Sequence, residues 1–165
     1  MLQELLTRTR PAVLQRWRDL LLESYAPDAS RFFREQGDPF ANPVGATVSR
    51  TLAGLFDELL AGAEPERIAP LLDDLIRLRA VQDFSPSQAV GFVFQLKRAV
   101  REQLAGVETP PWPELAEFEG RIDRLALLAF DLYLQCREQI FQIRVKEVKT
   151  RSESALTAGP RGKAR

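Results

Sequence analysis

Histidine is absent from all 165 residues. Without it there is no imidazole base for neutral pH, no histidine ligand for zinc and no proximal histidine for a haem. Ser-His-Asp and Cys-His catalytic arrangements are excluded with it. Cysteine is nearly absent: Cys136 stands alone. No intrachain disulfide can form and no cysteine cluster can hold metal. A single thiol suits a reducing compartment, so a cytoplasmic location is expected. No apolar run approaches the ~20 residues of a membrane-spanning helix, and Met1-Leu2-Gln3-Glu4 does not open a signal peptide. A nucleophile beside a base is nowhere visible. The expectation is a non-enzymatic chain without cofactor, metal or transmembrane segment.

A charge excess of one sign is also missing, since 23 basic residues face 23 acidic ones. The balance is uneven along the chain. From Arg144 onward the bases are Arg144, Lys146, Lys149, Arg151, Arg161, Lys163 and Arg165, opposed only by Glu147 and Glu153. Such a segment can meet an acidic partner, a membrane surface or RNA, or be a solvated helix end with a frayed tail. No aromatic residue follows Phe141 to interleave with the bases, so no nucleic-acid partner is expected.

What the chain does have is helical periodicity, with no strand-like alternation. A first helix is expected from Leu2 to Ser24, with Val13, Trp17, Leu20, Leu21 and Ser24 on one face. Pro11 either kinks it or starts its main part. Asp28 can cap a short helix ended by Gly37. Asn42-Pro43 starts the next, with a stripe of Val44, Val48, Leu52, Leu55, Phe56 and Leu59 that stops near Gly62. Pro65 opens a fourth, with Ile68, Leu71, Leu72, Leu75 and Leu78 inside. Ser85-Pro86-Ser87-Gln88 is a capping box with proline at the first helical position. It opens a fifth helix, through Val90, Val93, Phe94, Leu96, Val100 and Leu104 to Gly106. The preceding helix is expected to end near Gln82 or Asp83, ahead of that proline.

Thr109-Pro110-Pro111-Trp112-Pro113 makes a stiff turn before one very long helix, from about Glu114 into the Ser152 region. About forty residues at 1.5 Å each form a rod near 60 Å. A domain of this length is only ~30–40 Å across, so the rod must project. Ile122, Leu125, Ala129, Leu132 and Cys136 form a coiled-coil-like seam on it. Leu127, Leu128, Phe130 and Leu134 add apolar surface on other sides. Past the body, Ile140, Phe141, Ile143, Val145 and Val148 make a weak pairing surface. Leu127, Leu128, Leu134, Ile140, Phe141 and Ile143 are therefore the candidate interface, and a homodimer is expected. Ala158-Gly159-Pro160-Arg161-Gly162 reads as a disordered end. The fold class is all-α: a single six-helix bundle over 1–145, with a basic helical extension and tail over 146–165.

Two charges fall inside apolar arcs. Arg79 lies among Leu72, Leu75, Ile76 and Leu78; Lys97 lies among Val90, Val93, Val100 and Leu104. Burying an unpaired charge is costly, so each needs a partner or an escape to water. Asp83, one turn beyond Arg79, is a candidate partner, as are Asp123 and Asp131. Arg79, Asp83 and Lys97 thus form a candidate ligand or buried ion-pair site; the alternative is that the two side chains snorkel. Cys136 reads as a small core residue, and Asp57-Glu58 and Asp73-Asp74 as solvated faces.

Asp38-Pro39-Phe40-Ala41-Asn42-Pro43-Val44-Gly45 and the run from Arg79 to Phe94 together resemble the N-terminal domain of RsbRD-type RsbT co-antagonist proteins. Trp17, Ser24-Tyr25 and Lys97-Arg98-Ala99-Val100-Arg101-Glu102 fit the same pattern. The likeness covers most of Leu5 to Arg144. The resemblance implies an all-helical sensory input domain related to the non-haem globin folds of stressosome proteins, standing ahead of a STAS or kinase output module. It supplies no catalytic residues to carry over. Neither output module follows the long helix here, so the expected partner is a separate protein carrying one. The expected function is a signalling module acting through contact along the long helix. The alternative is a structural accessory subunit of a larger metabolic or membrane-associated complex.

Overall fold

In a computed structural model the described residues run from Met1 to Gly159. They form seven helices and, among them, no strand: α1 (Leu2–Leu22), α2 (Pro27–Glu35), α3 (Pro43–Ala61), α4 (Pro65–Val81), α5 (Pro86–Val90), α6 (Phe92–Leu104) and α7 (Trp112–Thr157). Most of the expected disordered end, Pro160 onward, lies outside the described residues. The all-α class holds.

Prolines set most of the starts. Pro27, Pro43, Pro65 and Pro86 each occupy the first helical turn, where a missing N–H removes no hydrogen bond. The short second helix starts at Pro27 after Ala26, and Asp28 falls in its first turn without capping it. The capping box forms as expected: Ser85 Oγ accepts from Gln88 N at 3.3 Å, and Gln88 Oε1 accepts from Ser85 N at 3.1 Å. Pro11 lies inside α1 without ending it. At the other end of α3, Gly62 takes a left-handed conformation with φ 69°, as a glycine stop does.

α1 packs against α6 and α3, α3 against α4, and α7 lies across α4, α5 and α6. Trp17, Phe56 and Phe92 are among the largest side chains fully enclosed between them. The expected α3 stripe is buried from Val48 to Leu59. On α7, Ile122, Leu125, Ala129 and Cys136 face the body, with Leu132 half-buried. Burial lifts the Cys136 thiol above its ordinary pKa, with Asp73 adding to the effect, and so makes it a poor nucleophile.

The helix expected to run unbroken from Pro86 to Gly106 is two helices, which makes the count seven rather than six. It breaks at Gly91. One buried face, Ala89, Val93, Leu96 and Val100, continues across the break. Phe92 enters the core beside it, while Phe94, expected inside, points away and is 49 % exposed. The close approach at the break needs a glycine: a Cβ there would stand 2.7 Å from the Ser87 carbonyl oxygen.

α7 spans 46 residues, about 69 Å at the usual rise. Every described residue from Phe141 onward is exposed. The last ~25 Å of the helix therefore stands clear of the bundle.

Candidate functional site

The break at Gly91 leaves carbonyls at the end of α5 without helical partners, and Arg79 takes them. Its Nε donates to Ala89 O at 3.0 Å and its Nη2 to Gln88 O at 2.7 Å. Nη2 also donates to Ser24 Oγ at 3.1 Å, and Nη1 to Tyr25 OH at 3.4 Å. The guanidinium lies over the Phe84 ring, 4.2 Å from its centroid. Arg79 is 0 % exposed. Among the described residues no carboxylate lies within ion-pair distance of it. Burial pushes its pKa below the ordinary arginine value, partly offset by Tyr25.

A buried cation with only neutral acceptors is unusual, because desolvation costs several kcal/mol. Here four oxygens and an aromatic face surround it. Hydrogen bonds from a charged donor are worth about 1.5–3 kcal/mol each. A desolvated cation over a ring adds up to about 2 kcal/mol. The carbonyls also come from a helix C-terminus, the end that attracts positive charge. Arg79 is thus a capping residue supplied from a neighbouring helix. Its planar fork reaches both carbonyls from two separate nitrogens, a geometry that lysine lacks.

The turn between α4 and α5 is held from both sides. Tyr25 donates its hydroxyl to Gln82 Oε1 at 2.8 Å, and its ring meets Phe33 and Phe84 edge-on. Burial raises the Tyr25 pKa. From the other side Tyr133 of α7 donates to Phe84 O at 2.6 Å, and Arg137 of α7 donates to Ala80 O at 3.2 Å. Asp83 sits in this turn with φ 57°. It is outside the helix, so the one-turn spacing to Arg79 does not bring the two together. Its carboxylate is 3.7 Å from Arg137 and largely exposed.

Lys97 belongs to a different place. Its ammonium meets Asp123 of α7 at 2.6 Å, and its side chain is 26 % exposed. The structure therefore separates Lys97 from Arg79 and Asp83. The four acidic neighbours each find a surface arginine: Asp57 with Arg10, Glu58 with Arg67, Asp73 with Arg77 and Asp74 with Arg50.

A second polar clamp was read in the sequence only as a helix cap. Asn42 is 2 % exposed. Its Oδ1 accepts from Gly45 N at 2.8 Å, and its Nδ2 donates to Phe33 O at 3.1 Å and Gln36 O at 2.9 Å. It joins the start of α3 to the end of α2. A Cβ at position 45 would stand 2.3 Å from the Asn42 side chain, which accounts for Gly45 in that motif.

Of the candidate interface, Leu127, Leu134, Phe141 and Ile143 are exposed at 68, 47, 66 and 58 %. Leu128 and Ile140 are half-buried against the core. Phe130, Val145, Val148 and Leu156 are exposed apolar residues as well. Among the described residues no helix is long and apolar enough to cross a membrane, and no group of three or more metal-ligating side chains converges.

A family model described as the RsbT co-antagonist protein rsbRD N-terminal domain matches residues 11–148. The chain is also similar to an uncharacterized protein of Archaeoglobus fulgidus, 26 % identical over 81 residues, which is 48 % of this chain and 51 % of the relative. The chain thus spans about half the length of the curated relative it matches. No solved structure matches it.

Proposed function

The chain belongs to the family of RsbT co-antagonist rsbRD N-terminal domains, and from that premise we propose that it is a sensory input module that acts on another protein through α7. The observation that carries the reading is the apolar surface on α7. Leu127 and Leu134 beside the body, and Phe141 and Ile143 beyond it, are exposed on a helix that outruns the bundle. Exposed apolar side chains on a projecting helix, three of them, Leu127, Leu134 and Phe141, at heptad spacing, are a docking surface in search of a second element. The partner in this reading carries the output domain, of STAS or kinase-like type. A second copy of the chain is the occupant for the segment from Leu127 to Leu134.

The link between body and rod is the turn at Asp83-Phe84. Arg79 and Tyr25 grip it from the body, while Tyr133 and Arg137 grip it from α7. A signal that loosens the Arg79 cluster would release two hydrogen bonds to α7 at the point where the rod leaves the bundle. Such a two-sided contact is the physical form that coupling between a sensor and an output takes.

Two measurements test this. Sedimentation equilibrium of the full chain at tens of micromolar reports the homodimer, which Leu127→Glu/Leu134→Glu is expected to dissociate. Affinity purification of the full chain from its native host, with and without Phe141→Glu, reports the partner. A monomer that brings down no protein with an output domain refutes the reading.

A further inference from the structure

The exposed stripe on α7 is a heptad column. Leu127, Leu134, Phe141 and Val148 recur every seven residues, and all four are exposed. Beyond the body the column becomes a true seam. Phe141, Val145 and Val148 follow at four- and three-residue steps, with Ser152 next. Such a narrow stripe fits one facing helix. Glu138 closes it toward the body, and Leu156, 82 % exposed, lies near its far end.

The residues flanking a seam choose its partner. Here those before the inner positions are Arg144 and Arg151, and those after are Gln142 and Lys149. Three of the four are basic and none is acidic. A second copy in parallel would set Arg144 against Lys149. An antiparallel copy would set Arg144 against Arg151 twice over, with Lys149 facing Gln142. Both orientations bring like charges together in a contact too short to absorb the cost.

We propose that the face of α7 built on Phe141, Val145 and Val148 docks an acidic amphipathic helix of another protein, one whose apolar seam is flanked by Asp or Glu. The charge pattern rejects a copy of this chain there and accepts its complement. A bilayer surface fits less well, because the stripe is one residue wide per turn and carries Glu138, Glu147 and Glu153 around it. The contact spans about four helical turns, so it belongs to the weak, exchangeable class of interface. This inference rests on the proposed signalling reading and adds the chemistry of the partner.

The test uses the full chain and two labelled synthetic helices with the same Leu/Val seam, one flanked by Glu and one by Lys. Fluorescence anisotropy is expected to show the Glu helix binding at least about tenfold more tightly, with the affinity falling as salt rises. Arg144→Glu/Lys149→Glu/Arg151→Glu, three exposed changes that leave the core untouched, is expected to reverse the preference. Val145→Asp/Val148→Asp is expected to abolish binding of both. Equal affinity for the two helices, or no binding up to about 1 mM, overturns the proposal. So does binding to phosphatidylglycerol vesicles in preference to the Glu helix, or self-association that Val148→Asp abolishes. If the native host yields an output-domain partner that Phe141→Glu releases while the two helices bind alike, the charge inference fails and the signalling reading stands.

Discussion

Replacing Arg79 by methionine asks whether a buried cation without a carboxylate stabilises this fold. The substitution keeps an unbranched apolar stem and removes the fork. Tyr25 retains Gln82 as acceptor, and Ser24 Oγ retains its bond to Leu21 O, so neither hydroxyl is stranded. The Ala89 and Gln88 carbonyls lose Arg79 and are left without that partner. A buried acceptor stripped of its partner costs about 1–3 kcal/mol, so the two together cost about 2–6 kcal/mol. The relieved desolvation of the cation offsets part of this. Filling the space above Phe84 with a smaller side chain adds to the loss. We expect a net loss of about 2–4 kcal/mol, which for a chain of this length lowers Tm by about 5–15 °C. Arg79→Lys is expected to lose much of this, because a compact ammonium lacks the planar fork that reaches both carbonyls, Ser24 and Tyr25 together and lies flat on Phe84. Thermal and urea unfolding, followed by circular dichroism at neutral pH, measure both. Trp17 fluorescence reports the same region, since Trp17 Nε1 donates to Phe92 O at 2.7 Å beside the break. An Arg79→Met protein as stable as the parent, or more so, would refute the reasoning: the cation would then be a net burden that its acceptors do not offset.

Asn42→Ala removes a cap and two donors to carbonyls at the end of α2, and is expected to cost about 2–3 kcal/mol, read as a shift of the urea midpoint at unchanged m-value. Gly91→Ala drives a Cβ against the Ser87 carbonyl and is expected to lower Tm by several degrees, whereas Gly106→Ala, where nothing lies within 4 Å, changes it little. Lys97→Met, at a half-exposed pair, is expected to cost under about 1 kcal/mol. Stability is expected to fall as pH rises above the ordinary tyrosine value of about 10, because the Tyr25 pKa is raised by burial and the folded state holds that proton after the unfolded chain would release it. Tyr25→Phe removes that slope. On the acid side the Glu102 pKa is lowered by Arg16 and the Glu114 pKa by the Leu2 N–H; their contribution is present above the usual carboxylate range and is lost as pH falls below it.

Helix starts were legible in the sequence wherever the signal is local. Pro43, Pro65 and the Ser85-Pro86-Gln88 box act through their own backbone neighbours, so the pattern and the structure agree. The stripes of α3 and the inner face of α7 were legible because periodicity survives packing. The break at Gly91 was not. It goes with Arg79, twelve residues earlier, which takes the carbonyls a continuous helix would use, and no window of local propensity contains that pairing. The exchange of Phe94 for Phe92 is a matter of face: Phe92, Leu96 and Ala99 are spaced as one helical face and are buried together, and Phe94 lies off it. Arg79 was visible as a charge out of place, but its acceptors are carbonyls, and every residue has one. Helical spacing pointed to Asp83 as its neighbour. That spacing applies only inside a helix, and Asp83 has already left α4 for a left-handed turn. The outer heptad of α7 was hidden behind the inner seam, since a helix apolar on several sides does not say which side the body will cover.

Asn42 and Arg79 do the same work in different chemistry. Each supplies donors to carbonyls at the end of a helix, Arg79 to Gln88 and Ala89 at the end of α5 and Asn42 to Phe33 and Gln36 at the end of α2. A buried helix end without such partners is among the costliest faults a fold can carry. The two sequence motifs that bear the family resemblance are these two clamps. Gly45 and Gly91 belong to them because side chain or backbone approaches too closely for a Cβ. The resemblance read from these two motifs therefore rests on how this bundle closes its helix ends. It points to no ligand, because the donors of both clamps are already engaged by the protein. What distinguishes one such module from another must then lie on surfaces the clamps leave free. On this chain one of these is the outer face of α7, where apolar side chains and the arginines at 144 and 151 stand in the open.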